Sequence, residues 1–156
     1  MVVVYDPNAG FVTGGGWINS PAGAYAQDTT LTGKASFGFV SKYVKGATTP
    51  TGNTEFNFQV AKFNFHSTAY QWLVVSGPLA QYKGTGTING AGNYNFLLTA
   101  TDGNVAGGGG VDKFRIKITD PVTGSVVYDN MMSSDDTMTS ANTQAIGGGS
   151  IVIQSK

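Results

Sequence analysis

Residues 113–118 read Lys-Phe-Arg-Ile-Lys-Ile, a strict alternation that puts Phe114, Ile116 and Ile118 on one side of an extended chain and Lys113, Arg115 and Lys117 on the other. Successive side chains of a strand point to opposite faces, so this pattern predicts a strand with one buried and one wet side. The same period recurs upstream. Tyr94, Phe96 and Leu98 share a face in 93–98, and Phe56, Phe58 and Val60 share one in 55–60. After Val60 the apolar phase moves to Phe63 and Phe65, a one-residue slip that predicts a β-bulge near Ala61 and Lys62.

Turn chemistry separates these runs. Asn89-Gly90 lies between two alternating segments, and Asp120-Pro121 through Gly124 joins 113–118 to the next run, both signals of antiparallel hairpins. Further runs at 11–18, 34–44, 70–75, 81–88 and 148–154 bring the total to about nine or ten strands, with no 3.6-residue period anywhere. The expectation is an all-β fold over residues 1–156, an antiparallel two-sheet sandwich of jelly-roll type. Phe56, Phe58, Phe96, Leu98, Phe114 and Ile116 are expected inside, with Lys113, Arg115 and Lys117 outside. Trp72 is expected in the core, as is Trp17.

The composition agrees and excludes several partners. The chain has 23 glycines and only 12% charged residues, with nine Lys and Arg balancing nine Asp and Glu. A neutral surface creates no field to attract nucleic acid or an anionic membrane. Cysteine is absent and His66 is the single histidine, which removes thiol chemistry, disulfides and the usual zinc sites. No apolar run approaches the length of a membrane span. The low-charge surface, rich in Thr, Ser, Asn and Gly, points to a secreted or cell-surface location. Met1 ahead of Val2-Val3-Val4-Tyr5 reads as the start of an excised segment; residues 1–5 are expected to dock on their own sheet, leaving the domain a monomer.

A resemblance rests on long motifs in order: 11–25 (FVTGGGWINSPAGAY), 33–58 (GKASFGFVSKYVKGATTPTGNTEFNF), 63–77, 80–103, 112–118, 126–130 and 147–153. The chain resembles in these the post-COAP-1 domain, found near the C-terminal ends of large bacterial exported proteins. It departs from that pattern at 118–121, where Thr119 stands at a position commonly aromatic. The resemblance implies an exported multi-domain parent, with neighbouring domains as partners, and assigns no catalytic residue.

Calcium is the metal that the residues suggest. It takes six to eight oxygens, which Asp102, Asn104 and Asp112 would supply if Gly107–Gly110 fold the loop back. Asp6 and Asn8 form a second candidate pair. The competing reading makes Asp102-Gly103 a turn and Asp112 a cap for the following strand. A phosphate cradle is excluded, because the glycine run leads into a strand and not a helix. Polysaccharide or a cell-surface protein is the candidate external partner, and a sugar platform would use Trp17, Tyr25 and Tyr70 as flat stacking surfaces.

Catalysis has few candidates. His66 lacks a nucleophile motif and reads as a core or strand-end residue. With Glu55 the only glutamate, a carboxylate pair about 5 to 9.5 Å apart would have to come from turn aspartates. Asp135 and Asp136 read as a solvated loop. The expected function is a non-catalytic accessory module, structural or binding, with calcium as its candidate stabilising ion; the alternative is a carbohydrate-binding module, ahead of a small hydrolase.

Overall fold

The alternating runs fold as their period requires. In the computed structural model, which describes residues 10–154, ten strands follow one another: β1 (Phe11–Ser20), β2 (Gly33–Lys42), β3 (Thr51–Phe58), β4 (Phe63–Ser76), β5 (Leu79–Ile88), β6 (Ala91–Thr101), β7 (Lys113–Thr119), β8 (Val126–Asp129), β9 (Gln144–Ala145) and β10 (Gly148–Gln154). The fold is all-β and antiparallel, as expected. The proposed Asn-Gly hairpin is present, with Asn89 and Gly90 at positive φ between paired Ile88 and Ala91. At the next turn Asp120 accepts the amides of Val122 and Thr123 and returns β7 to β8.

The two separate sheets expected from the sequence are not what the hydrogen bonds form. Strands pair in the unbroken order β10-β1-β2-β3-β4-β5-β6-β7-β8, with β9 added beside β7, so the described strands make one sheet. Consecutive strands from β1 to β8 are neighbours, and the Greek-key crossings of a jelly roll do not occur among them. The sheet curls until its own inner face supplies both walls of the core. Phe37 of β2 stacks on Phe114 of β7 at 4.2 Å and 5°, while Phe56 of β3 packs on Phe114 and on Tyr128 of β8. Aromatic pairs of this kind add to area burial, and Phe114→Ala would cost about 3–5 kcal/mol. All six side chains expected inside are buried: Phe56, Phe58, Phe96, Leu98, Phe114 and Ile116.

Three readings of strand faces are corrected. Arg115 is buried at 1% exposure, not outside, because residues 134–136 cross over the outer face of β7; Lys113 and Lys117 are half-buried. The slip after Val60 is absorbed by a chain reversal and not by a bulge. β3 ends at Phe58, a 3-10 turn covers Gln59–Ala61, Lys62 takes the left-handed conformation, and β4 starts at Phe63 opposite Phe58; Val60 is thrown outward. Bulges occur elsewhere, at Ser67/Ala69 and Tyr70/Trp72 in β4. Each extra residue inverts the alternation, so Tyr70 and then Leu73 turn inward and Trp72 turns outward, half-exposed. The adjoining strand must come close: a Cβ on Gly84 would lie 2.2 Å from the Ala69 carbonyl oxygen.

Both ends of this sheet are covered. On the β8 side, Ala26 N–H donates to the Val127 carbonyl and Asp129 N–H to the Ala24 carbonyl, with Tyr25 bridged to Tyr128. On the β10 side the inner neighbour is β1, in register from Phe11 opposite Gln154 to Trp17 opposite Gly148. The other side of β10 meets the β6–β7 loop.

Candidate functional site

That loop is the glycine-rich stretch flanked by Asp102 and Asp112. Asp102 is 5% exposed; its Oδ1 accepts the Asn104 amide at 3.0 Å and its Oδ2 the Ile153 amide at 3.0 Å. Asp112 accepts the Gly103 amide at 2.8 Å and the Ile151 amide at 2.7 Å. Ile151 and Ile153 are two apart on β10, so the two carboxylates satisfy the outward amides of that strand in turn. A cross-link within the loop, Gly110 N–H to the Gly103 carbonyl at 2.9 Å, holds its ends together. The packing demands glycine at 103, where a Cβ would stand 2.2 Å from the Val111 nitrogen.

The sequence thus brings Asp102 and Asp112 to one place, but every oxygen of the pair already accepts a backbone amide. Asn104 contributes its backbone N–H to this arrangement. In this arrangement the two carboxylates serve backbone amides, and among the described residues no three His, Asp or Glu side chains gather as metal ligands. Asp6 and Asn8 lie outside the described residues, as do residues 1–5 and their expected docking.

A second set of charges lies under residues 131–137. Arg115 donates from Nε to Asp129 Oδ1 at 3.0 Å and from Nη2 to Asp129 Oδ2 at 2.8 Å, a bidentate pair with both side chains buried. Its remaining donors hold the carbonyls of Asp135 and Ser134, and Asp136 approaches to 3.5 Å. Asp135 and Asp136 are therefore more than a solvated loop: they are where the chain is pinned across β7. Asn130 adds a polar link, accepting from the Ile116 amide and donating to the carbonyl of Phe114 and to Gln144.

The aromatic candidates do not converge. Trp17 lies on the outer face with the Lys34 ammonium 4.8 Å from its ring centroid and with Gly147 and Gly148 packed against the indole. Tyr25 sets its ring edge-on to Phe63 and Phe58 on the β8 side. Tyr70 turns into the core, its hydroxyl bonded to Thr54 and donating to the Val40 carbonyl. Burial raises its pKa and also raises that of Tyr82, on the same Thr54 hydroxyl. His66 is an exposed residue of β4, neither core nor strand end, with Nδ1 3.0 Å from Glu55.

The feature that sequence reasoning missed is a groove of about 290 Å³ on the outer face of β4–β7. Register places Trp72, Lys83, Leu97 and Lys117 in one row across the four strands. Beside the row, the Gln81 amide nitrogen donates to Thr99 Oγ1 at 3.1 Å and to the Asp136 carbonyl at 2.8 Å, which fixes the orientation of its Oε1. Asn95 lines the groove from β6, and Asp136 walls its end in a bridge to Lys117 at 3.0 Å. The only sequence signal for this site is the position of the β4 bulges, which alternation alone does not reveal.

No family model matches the chain, and no curated protein or solved structure matches it. Among the described residues no helix is long and apolar enough to cross a membrane.

Proposed function

We propose that this domain is a non-catalytic accessory module of an exported bacterial multi-domain protein, acting at the cell surface or outside the cell. The observation that carries this reading is the employment of its buried and half-buried charges. Asp102 and Asp112 serve four backbone amides, and Arg115 serves Asp129 and two carbonyls. Buried charges cost much to desolvate and persist when the fold satisfies them. Here they fix shape: one set closes the sheet at β10 and the other straps a long connection over β7. The resemblance to the post-COAP-1 domain supplies the exported, multi-domain setting, and the loop carboxylates are assigned to closure and not to calcium.

Deleting residues 11–154 from the parent protein tests this. The specific activity of the remaining domains should be unchanged, while the fraction of parent retained at the envelope or on its solid substrate should fall. A chemical turnover lost with this segment, and recovered with the isolated domain, would overturn the proposal.

A further inference from the structure

The groove on the outer face of β4–β7 has the chemistry of a saccharide site, and we propose that it binds an acidic glycan, a pyranose chain carrying uronate carboxylates. This deepens the accessory-module reading by giving the module a ligand.

Sugars are recognised by a flat aromatic face for the C–H side of the ring and fixed polar groups for the hydroxyls. Trp72 is half-exposed and lines the groove, and no hydrogen bond or ring contact with another described residue engages its indole. Its outward position is enforced: the bulge after Tyr70 sends Leu73 into the core and leaves the indole facing the groove. Gln81 is 9% exposed, and both bonds made by its side chain to described residues come from the amide nitrogen, so Oε1 is a preoriented acceptor with no donor among them. An acceptor held in place before the ligand arrives loses little freedom on binding. Asn95 adds an amide that makes no side-chain hydrogen bond with the described residues.

Charge selects the kind of sugar. Of the two lysines in the row, Lys117 is neutralised by Asp136, whereas Lys83, paired in register with Trp72, has no acidic partner among the described residues. An ammonium beside an aromatic platform matches a carboxylate on the pyranose stacked there. A neutral glycan would leave that charge unanswered.

The test uses the whole 156-residue chain with tetragalacturonate as acidic probe and cellotetraose as neutral probe, read by calorimetry and by Trp72 fluorescence in a Trp17→Phe background. Tetragalacturonate should bind, and cellotetraose more weakly. Trp72→Ala should weaken the acidic probe about tenfold or more, and Lys83→Gln should remove most of the preference for it, each tenfold being about 1.4 kcal/mol. Trp72→Ala acts on an outer face and should leave the melting temperature nearly unchanged; if it does not, Asn95→Ala reports on the same groove. Failure of both probes to bind, or binding indifferent to Trp72→Ala and Asn95→Ala, overturns the groove proposal and leaves the accessory reading standing. Equal affinity for the two probes, unaltered by Lys83→Gln, overturns the acidic assignment. Cleavage of either probe would overturn the non-catalytic reading instead.

Discussion

The two edges of this sheet are closed by different means. At β8 the closing bonds run from backbone to backbone: Ala26 N–H to the Val127 carbonyl and Asp129 N–H to the Ala24 carbonyl. At β10 they run from backbone to side chain, with the Ile151 and Ile153 amides held by Asp112 and Asp102. An open strand edge invites pairing with another chain, so both solutions protect against self-association. They differ in what can undo them. A backbone bond survives most substitutions, whereas the β10 edge depends on two particular side chains that reach it from more than one strand away. The β8 side has its own dependence one layer deeper, where Asp129 turns its carboxylate to buried Arg115.

Breaking that deeper support should have the largest effect. Arg115→Ala leaves Asp129 buried without its partner and releases the carbonyls of Ser134 and Asp135, and should destabilise by about 3–5 kcal/mol in urea unfolding. A cost below about 1 kcal/mol would mean that the strap over β7 is not held by this residue.

Next comes the β10 edge. Asp102→Ala strips the acceptors from the Asn104 and Ile153 amides and should cost about 2–3 kcal/mol. The variant should also self-associate, visible by light scattering, because the Ile153 amide at the outer edge of β10 is then left without its acceptor; Val127→Thr on the backbone-closed edge should change stability by less than about 0.5 kcal/mol. If the two substitutions cost the same, the contrast between the edges fails.

Alkali sharpens the contrast from the other side. Tyr128 of β8 has its pKa raised mainly by burial, against the lowering effect of its bond to Ser20, and Tyr82 and Tyr70 are raised by burial as well. The unfolded chain loses these protons near pH 10.0 and the folded chain higher. Their contribution to stability is therefore complete below that pH and is lost as pH rises toward the folded values. Tyr128→Phe should cost about 1 kcal/mol at neutral pH through the Ser20 bond, yet move the alkaline unfolding midpoint upward. A midpoint that moves down would show that the phenol's ionisation does not limit stability there.

The smallest effect should be that of calcium. With all four carboxylate oxygens already accepting amides, neither excess calcium nor chelator should move the melting temperature. A calcium-dependent rise that Asp112→Asn abolishes would return these side chains to metal ligation.

Much of this architecture was legible in sequence. Period-two alternation correctly placed Phe56, Phe58, Phe96, Leu98, Phe114 and Ile116 inside, and Asn89-Gly90 and Asp120 correctly placed two hairpins. Where the reading failed, a distant segment or an inserted residue was responsible. Arg115 alternates like an exposed strand residue, and only the arrival of residues 134–136 from beyond β8 makes its face an interior. Trp72 sits in an apolar run that looks like core, but two bulges reset the phase before it. The continuity of the sheet was likewise hidden, since alternation assigns faces and does not say whether opposing faces belong to one sheet or two. For Asp102 and Asp112 neither the metal nor the turn-and-cap reading reached β10, whose Ile153 and Ile151 amides they hold some forty to fifty residues later in the chain.

The register of β1 and β10 also bears on how the domain meets mechanical load. Phe11 and Gln154 are partners at one end of that ladder, so the two ends of the described fold stand side by side. Tension drawn through these residues in opposite directions pulls along the hydrogen bonds and separates the strands one rung at a time, the weak direction for a β pair. In shear, all rungs would be loaded together. Peeling β10 from Gln154 inward soon reaches Ile153 and then Ile151, each also gripped by a carboxylate from the far side. Asp102 and Asp112 thus add a bond to be broken at each of those two rungs, so peeling β10 from this end loosens the β6–β7 loop as well.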